Sequence, residues 1–179
     1  MELKQAIINR RSYKKYDHDT TVSDTVIEEA VALAAYAPNH GMREPWRVIW
    51  IKKDRLAEFA ALFADFAFKN EPEKKAKHID TLTKLSGLLV IVGNYDRRQK
   101  QFLEDVLAVG AFLQTLSLVL HEAGVGSCIK TPGVITAPGL NDSLDIAADE
   151  MIYGFVYLTD TADEVPLKER NNSRLLTEW

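Results

Sequence analysis

Leu88-Leu-Val-Ile-Val-Gly93 is the stretch on which the fold turns. Uninterrupted apolar residues over 88–92, closed by a glycine, have the pattern of a strand covered on both faces, because a strand with one wet face alternates polar and apolar positions. Such a strand belongs at the centre of a sheet. Before it, Trp46 to Lys53 is rich in Val, Ile and Trp and reads as a second strand. Asp54 is placed to cap a helix running to about Phe68, and the charged stretch Asn70 to Lys84 reads as a solvated helix or a mobile flap. After it comes a long helix from about Gln101 to Ala123, ended by Gly124 and Gly126. Its C-terminal half is apolar nearly all round, more than a small monomer covers by itself, so a partner subunit is expected over it. Ser127 to Lys130 reads as a short strand or loop, Thr136 to Leu144 as a short helix, and Met151 to Thr159 as the last strand.

Working back to the N-terminus, Glu2 to Asn9 is a helix with Leu3, Ala6 and Ile7 on one face. Ser23 is the N-cap of a second helix, in which Val26, Ile27, Ala30, Val31 and Ala34 recur at helical spacing until Pro38 stops it. The first strand therefore arrives only after two helices, which is no regular βαβ order, and the class is α+β. The tail from Asp160 to Trp179 shows little periodicity but ends in Leu175, Leu176 and Trp179, so it is expected to dock.

The chain has 179 residues, 46% hydrophobic and 27% charged, which suits one domain over residues 1–179 with a core that needs no staple. Cys128 is the sole cysteine, and with four scattered histidines it offers no zinc-ligand spacing. A net charge of −4 argues against a general nucleic-acid binder. The start of the sequence lacks the apolar stretch of a signal peptide, and Val106 to Leu120 falls short of a membrane span of about 20 residues. No membrane association and a cytoplasmic location are expected. Neither G-x-G-x-x-G after a strand nor a P-loop is present, so any nucleotide is held in another way.

Two segments carry chemistry. Residues 10–15, Arg-Arg-Ser-Tyr-Lys-Lys, gather cations at one turn of an acidic chain. Arg10, Arg11, Ser12 and Lys14 have the guanidinium forks, hydroxyl and ammonium that satisfy a phosphate monoester, although cations after a helix also complement its dipole. The second segment is Ala37-Pro-Asn-His-Gly-Met-Arg-Glu-Pro-Trp46, whose prolines fix its ends while Asn39 and His40 offer polar contacts. Read plainly, it is a helix-to-strand connection with Trp46 in the core. Cys128 reads as a buried structural thiol rather than a nucleophile, and His121 as a core or capping residue rather than a base; His18 and His78 read as surface residues.

Taken in order, Arg-Arg-Ser-x-Lys, then Ala-Pro-x-x-x-x-x-x-Pro-Trp, the long apolar helix, Gly-Val-Gly-Ser-Cys-Ile-Lys and the tail Lys168-x-Arg170 resemble the FMN-dependent nitroreductase family, in its small single-domain bacterial branch, over the whole chain. The resemblance implies a three-layer α+β sandwich with a central mixed sheet flanked by helices, and a homodimer with FMN in each of two interface sites. It puts the flavin phosphate and ribityl contacts on Arg10, Arg11 and Ser12, and Lys14 nearer the pyrimidine end of the ring. Asn39 and His40 would reach in from the other subunit. Cys128, Ile129 and Lys130 match the loop that passes the isoalloxazine, and Lys168 and Arg170 match a pair that completes the phosphate site in some members. This chain departs from the pattern at Met42 and Glu44, where many members carry Asn and Gln.

The activity implied is hydride transfer from NAD(P)H through FMN to a nitroaromatic, quinone or similar acceptor by ping-pong kinetics, with the flavin doing the redox chemistry and no obligatory protein acid or base. Two other readings stay open: a protein that binds or senses FMN without turnover, and a module whose basic turn docks an acidic partner. Nothing in the sequence chooses between NADH and NADPH.

Overall fold

The computed structural model describes residues 2–17, 19–171, 173 and 175–179; His18, read as a surface residue, lies outside the described residues. Ten elements follow one another: α1 (Leu3–Asn9), α2 (Asp24–Ala34), β1 (Trp46–Ile51), α3 (Leu56–Ala67), α4 (Pro72–Thr83), β2 (Gly87–Asn94), α5 (Gln99–Glu122), β3 (Gly126–Lys130), α6 (Pro138–Ser143) and β4 (Glu150–Thr159). The sheet order is β1-β2-β4-β3, so the stretch at 88–92 is indeed internal.

Alternation along β2 divides the core. Leu88, Val90 and Val92 join Phe59 and Phe63 of α3, Leu82 of α4 and Leu140 of α6 on one face of the sheet. Leu89 and Ile91 join Ile27 and Ala30 of α2 and Val109, Phe112 and Leu116 of α5 on the other. All of these side chains are buried, and the result is a helix-sheet-helix sandwich. Trp46 does pack in the core, its ring stacked on Phe112 at 5.1 Å.

Some expectations change. The four strands pair antiparallel throughout, so the mixed character reduces, among the described residues, to a single parallel bridge between Ser12 and Ser127. Ser23 caps α2, its hydroxyl accepting from the Val26 N–H at 3.4 Å. Asp54 caps nothing: it lies inside a short 3-10 turn, Lys53–Arg55, that uses up the end of the expected strand. Of the two readings of the charged stretch the helix holds, α4, started by Pro72, and the short helix expected at 136–144 is α6, preceded by a 3-10 turn, Gly133–Thr136.

The long helix needs a correction too. α5 has 24 residues and is long and apolar enough, by length and composition, to cross a membrane. It is nevertheless a layer of this core, with Ala108, Phe112, Leu116 and Leu120 buried. Its uncovered apolar surface is not in the C-terminal half, where Leu113, Leu118 and Val119 are half-buried, but in the N-terminal half, where Leu103 and Leu107 are 57% and 65% exposed. With Gly110 and Gln114 they form one exposed stripe, while Leu3, Ile7 and Ile8 lie uncovered on α1. The end of the tail is likewise uncovered at Leu175, Leu176 and Trp179.

Candidate functional site

The basic turn leaves α1 and lies down along β3. Ser12 bridges Ser127, and the Tyr13 N–H donates to the Ser127 carbonyl at 3.2 Å. Gly126 makes this approach possible, since a Cβ there would stand 2.1 Å from the Asp160 carbonyl oxygen and 3.0 Å from the Tyr13 ring. The tail then crosses the same turn, and Lys15 pairs with Asp163 at 3.2 Å. Together they enclose a cavity of about 470 Å³, which brings Arg10, Arg11, Ser12, Lys14, Lys168 and Arg170 to one place. Six of the expected site residues, separated by some 150 positions in the chain, thus share a wall.

Arg11 settles part of the question left open for this turn. One of its terminal nitrogens donates to the Ile8 carbonyl at 2.5 Å and to the Arg10 carbonyl at 2.9 Å, so it does close the end of α1. Its Nε remains buried without a hydrogen-bond partner. Among the described residues no carboxylate pairs with Arg10, Lys14 or Lys168. Arg10 is half-buried and Lys14 and Lys168 are exposed, and this set of cations without carboxylate partners, beside a serine hydroxyl and an unsatisfied guanidinium N–H, fits a dianionic phosphate. His121 ends α5 close by: burial, and after it the charges of Arg10 and Arg11, hold its imidazole below the ordinary histidine range. Both its ring nitrogens are buried without partners, so it is a neutral core group rather than a cap.

Asn39 and His40 do not line this cavity. The Asn39 side chain shapes its own loop, donating to the Ala37 carbonyl at 3.3 Å and accepting from the Glu44 N–H at 2.9 Å. Met42 and Glu44 adopt positive φ, 53° and 45°, which is strained for side chains of this kind. What holds the loop is Arg43, which sequence reading passed over: it meets Asp105 of α5 at 2.6 Å, with Glu104 and Asp96 at 3.7 and 3.9 Å. The signal was present, since a carboxylate on the buried face of an apolar helix requires a cation.

On β3 the strand's alternation separates the three expected residues. Cys128 is buried and Lys130 half-buried on the side that carries Tyr157, with the Lys130 ammonium 5.9 Å from that ring, whereas Ile129 faces the opposite way and is exposed. The Lys130 side leads to a second cavity, of about 790 Å³, between α3, α4 and the 130–134 loop. His78, expected at the surface, lines it half-buried and stacks on Phe63 at 4.5 Å. Nothing in the sequence set these residues apart from ordinary core formers.

Among the described residues no group of histidine, cysteine and carboxylate side chains could hold a metal ion. Comparison with known proteins agrees with the geometry. A Bacillus subtilis (strain 168) protein named "Putative NAD(P)H nitroreductase YfhC" is 29% identical over 96% of this chain and 91% of its own length. The crystal structure of a nitroreductase-like family protein from Bacillus cereus superposes with a TM-score of 0.85 at 25% identity, covering 96% of this chain and 91% of that one. A Desulfovibrio desulfuricans protein described as a "putative nitroreductase in complex with fmn" shares the fold with a TM-score of 0.79 at 20% identity, covering 100% of this chain and 97% of that one. The pattern of the nitroreductase family itself matches residues 7–158, and the chain belongs to that family.

Proposed function

We propose that the chain acts as one FMN-binding domain over residues 1–179, an FMN-dependent NAD(P)H oxidoreductase of nitroreductase type that works as a cytoplasmic homodimer. The observation that carries this reading is the basic cavity, in which, among the described residues, no carboxylate pairs with Arg10, Lys14 or Lys168 and whose donor set suits a phosphate monoester. Arg10, Arg11 and Ser12 hold the phosphate and ribityl end, Lys168 and Arg170 close over it from the tail, and Lys14 lies toward the ring. Residues 128–130 pass the ring along β3, and Asn39 and His40 come from the second subunit, presented by the loop that Arg43 pins to α5. The exposed stripe of Leu103 and Leu107, with Leu3 and Ile7 of α1, provides the apolar surface of that interface.

Bound FMN supplies the redox chemistry, taking hydride from NAD(P)H and passing electrons to a nitroaromatic, quinone or similar acceptor in ping-pong order. The protein's own work is electrostatic. Lys14 and Lys130 place positive charge where reduction of the ring adds negative charge, and the apolar walls behind Lys130 keep water away from it.

The test is the visible spectrum of the purified protein after addition of FMN and desalting, followed by anaerobic NADPH and then NADH. Retained yellow colour that bleaches supports the reading and shows the preferred donor. Colour that persists assigns the protein to flavin binding without turnover, and a colourless protein that resists reconstitution overturns the proposal. Arg10→Ala with Ser12→Ala should weaken FMN by at least about tenfold, the effect of losing charge-assisted hydrogen bonds worth about 1.5 to 3 kcal/mol each.

A further inference from the structure

His121 is a titratable group that the proposed chemistry does not use, and its place in the fold ties it to the basic cavity. It stands in the last turn of α5, the helix against which α1 packs, and the turn that leaves α1 carries Arg10 and Arg11 into the cavity wall. Both imidazole nitrogens are buried without a hydrogen-bond partner. They are not needed as a cap, because the Ala123, Gly124 and Val125 N–H groups already donate to the Val119, His121 and Leu120 carbonyls, at 3.0, 3.1 and 2.8 Å. Buried polar atoms are seldom left unpaired without a reason. Two of them on one ring, under the influence of the cavity's own guanidinium charges, point to a group whose protonation depends on what the cavity holds.

The ring is held below the ordinary histidine range by burial, the larger influence, and then by the charges of Arg10 and Arg11. Glu122, its neighbour on α5, is exposed and does not act on it, while Asp163 and Glu164 stand on the tail side of the cavity. A proton placed on His121 therefore meets two guanidinium charges and, among the described residues, no opposing carboxylate. A dianion held by Arg10 and Arg11 cancels those two charges. The C-terminal end of α5, where the helix dipole is negative, then favours an imidazolium. Burial still opposes the charge, so the ring regains only what Arg10 and Arg11 took from it and titrates below neutral pH.

We propose that His121 is a proton-linked part of the basic cavity: below neutral pH a dianion bound at Arg10 and Arg11 draws a proton from solvent onto the imidazole, and anion and proton bind cooperatively. The coupling is reciprocal, so the proton favours the anion by the same factor as the anion favours the proton. This inference rests on the reading of the cavity as a phosphate site, and it adds to that site a residue that acts on the ligand through charge.

The experiment is proton NMR of the full chain, following the imidazole C2 proton of His121 from about pH 5 to 8, first in sodium chloride and then in sodium sulfate at equal ionic strength. Sulfate is the probe because it stays dianionic over this range, whereas a phosphate monoester takes up its own proton near about pH 6. The His121 midpoint should rise by about half a unit or more in sulfate, which corresponds to sulfate about threefold tighter on the protonated protein than on the neutral one. His40 and His78 should keep their midpoints. His121→Phe should remove that share of the pH dependence of sulfate binding, read from the amides of residues 10–15, and what remains belongs to Asp163 and Glu164. A midpoint that stays in place while those amides report saturable binding would overturn the proposal, and so would a pH dependence unchanged in the variant; the wild-type midpoint decides even where the variant fails to fold. Amides that show no sulfate binding would overturn the phosphate reading and this inference with it. If sulfate behaves as expected but FMN is not retained, the oxidoreductase reading falls and this one stands.

Discussion

Replacing Arg43 by methionine removes the guanidinium from a carboxylate that has nowhere else to turn. Asp105 is 2% exposed on α5, and Arg43 lies 2.6 Å from it with a side chain 28% exposed. Taking away one partner of a fully buried pair costs about 3 to 5 kcal/mol. Partial hydration of Arg43 lowers that to about 2 to 3 kcal/mol, because water already screens some of the attraction. Asp96 and Glu104 lose a neighbour too, but Asp96 keeps the Arg98 guanidinium, which with its N–H holds it down at about 2. For a chain of this length the loss is a fall in Tm of about 5 to 10 °C. The pH dependence identifies the cause. Burial raises Asp105 and Arg43 opposes it, so without Arg43 its folded-state value rises further above that of the unfolded chain. A carboxyl raised in the folded state binds its proton more readily there, so the variant recovers stability relative to wild type as pH falls through that value and loses it as pH rises. Thermal and urea unfolding followed by circular dichroism should therefore show a larger deficit at pH 7.5 than at pH 5, most of it removed in Arg43→Met with Asp105→Asn. A deficit under about 1 kcal/mol, or one equal at the two pH values, would refute the argument that a stranded charge is responsible. The same substitution frees the loop of Asn39 and His40, so FMN retention should fall with it.

Three further outcomes are expected. Leu107→Asp puts a charge on the exposed stripe of α5, and sedimentation should show a dimer becoming a monomer with little change in monomer fold. Gly126→Ala forces a methyl against the Asp160 carbonyl, 2.1 Å from the ideal position; about 1 to 3 kcal/mol of stability should be lost in denaturant melts, with weaker FMN as the basic turn lifts. His78 and His121 are both held below their unfolded value of about 6.5, so the folded chain takes up fewer protons than the unfolded one just below that pH. Stability should fall as pH drops below about 6.5, and His78→Phe should flatten that fall in Tm measured from pH 7.5 to 5.5.

The parts of the molecule legible in sequence are those where one residue type suffices as a signal. Leu88 to Val92 could only be covered on both sides, and the structure divides them between two helical layers. Ser23 before a periodic run became a working cap. Asp54 gave the same kind of signal and failed, because the chain first needed a 3-10 turn to leave β1, and Lys53 there donates to the Thr83 and Leu85 carbonyls that α4 leaves open. Composition also misplaced the uncovered face of α5. Apolar density is highest over 106–120, but α2 and the sheet cover most of that part, and exposure depends on where neighbours run out.

The same distinction separates the two cavities. Arg10, Arg11, Ser12 and Lys14 stood out because cations crowded on one turn oppose the charge of the whole chain, and the tail pair stood out through family order; the fold then supplied the one fact sequence lacked, that Asp163 to Arg170 returns across the turn. Phe63, Phe66 and His78 gave no such contrast, since aromatic residues on a helix look alike whether they face a core or a cavity. What distinguishes them is the gap that α3, α4 and the 130–134 loop leave between them, a property of the assembled walls and of no residue alone. Both cavities nonetheless hang on one short segment. Residues 12 and 13 are tied to Ser127, with Arg10 and Lys14 on the basic side and Tyr16 reaching the aromatic one, so the Gly126 contact that seats this segment positions the walls of both.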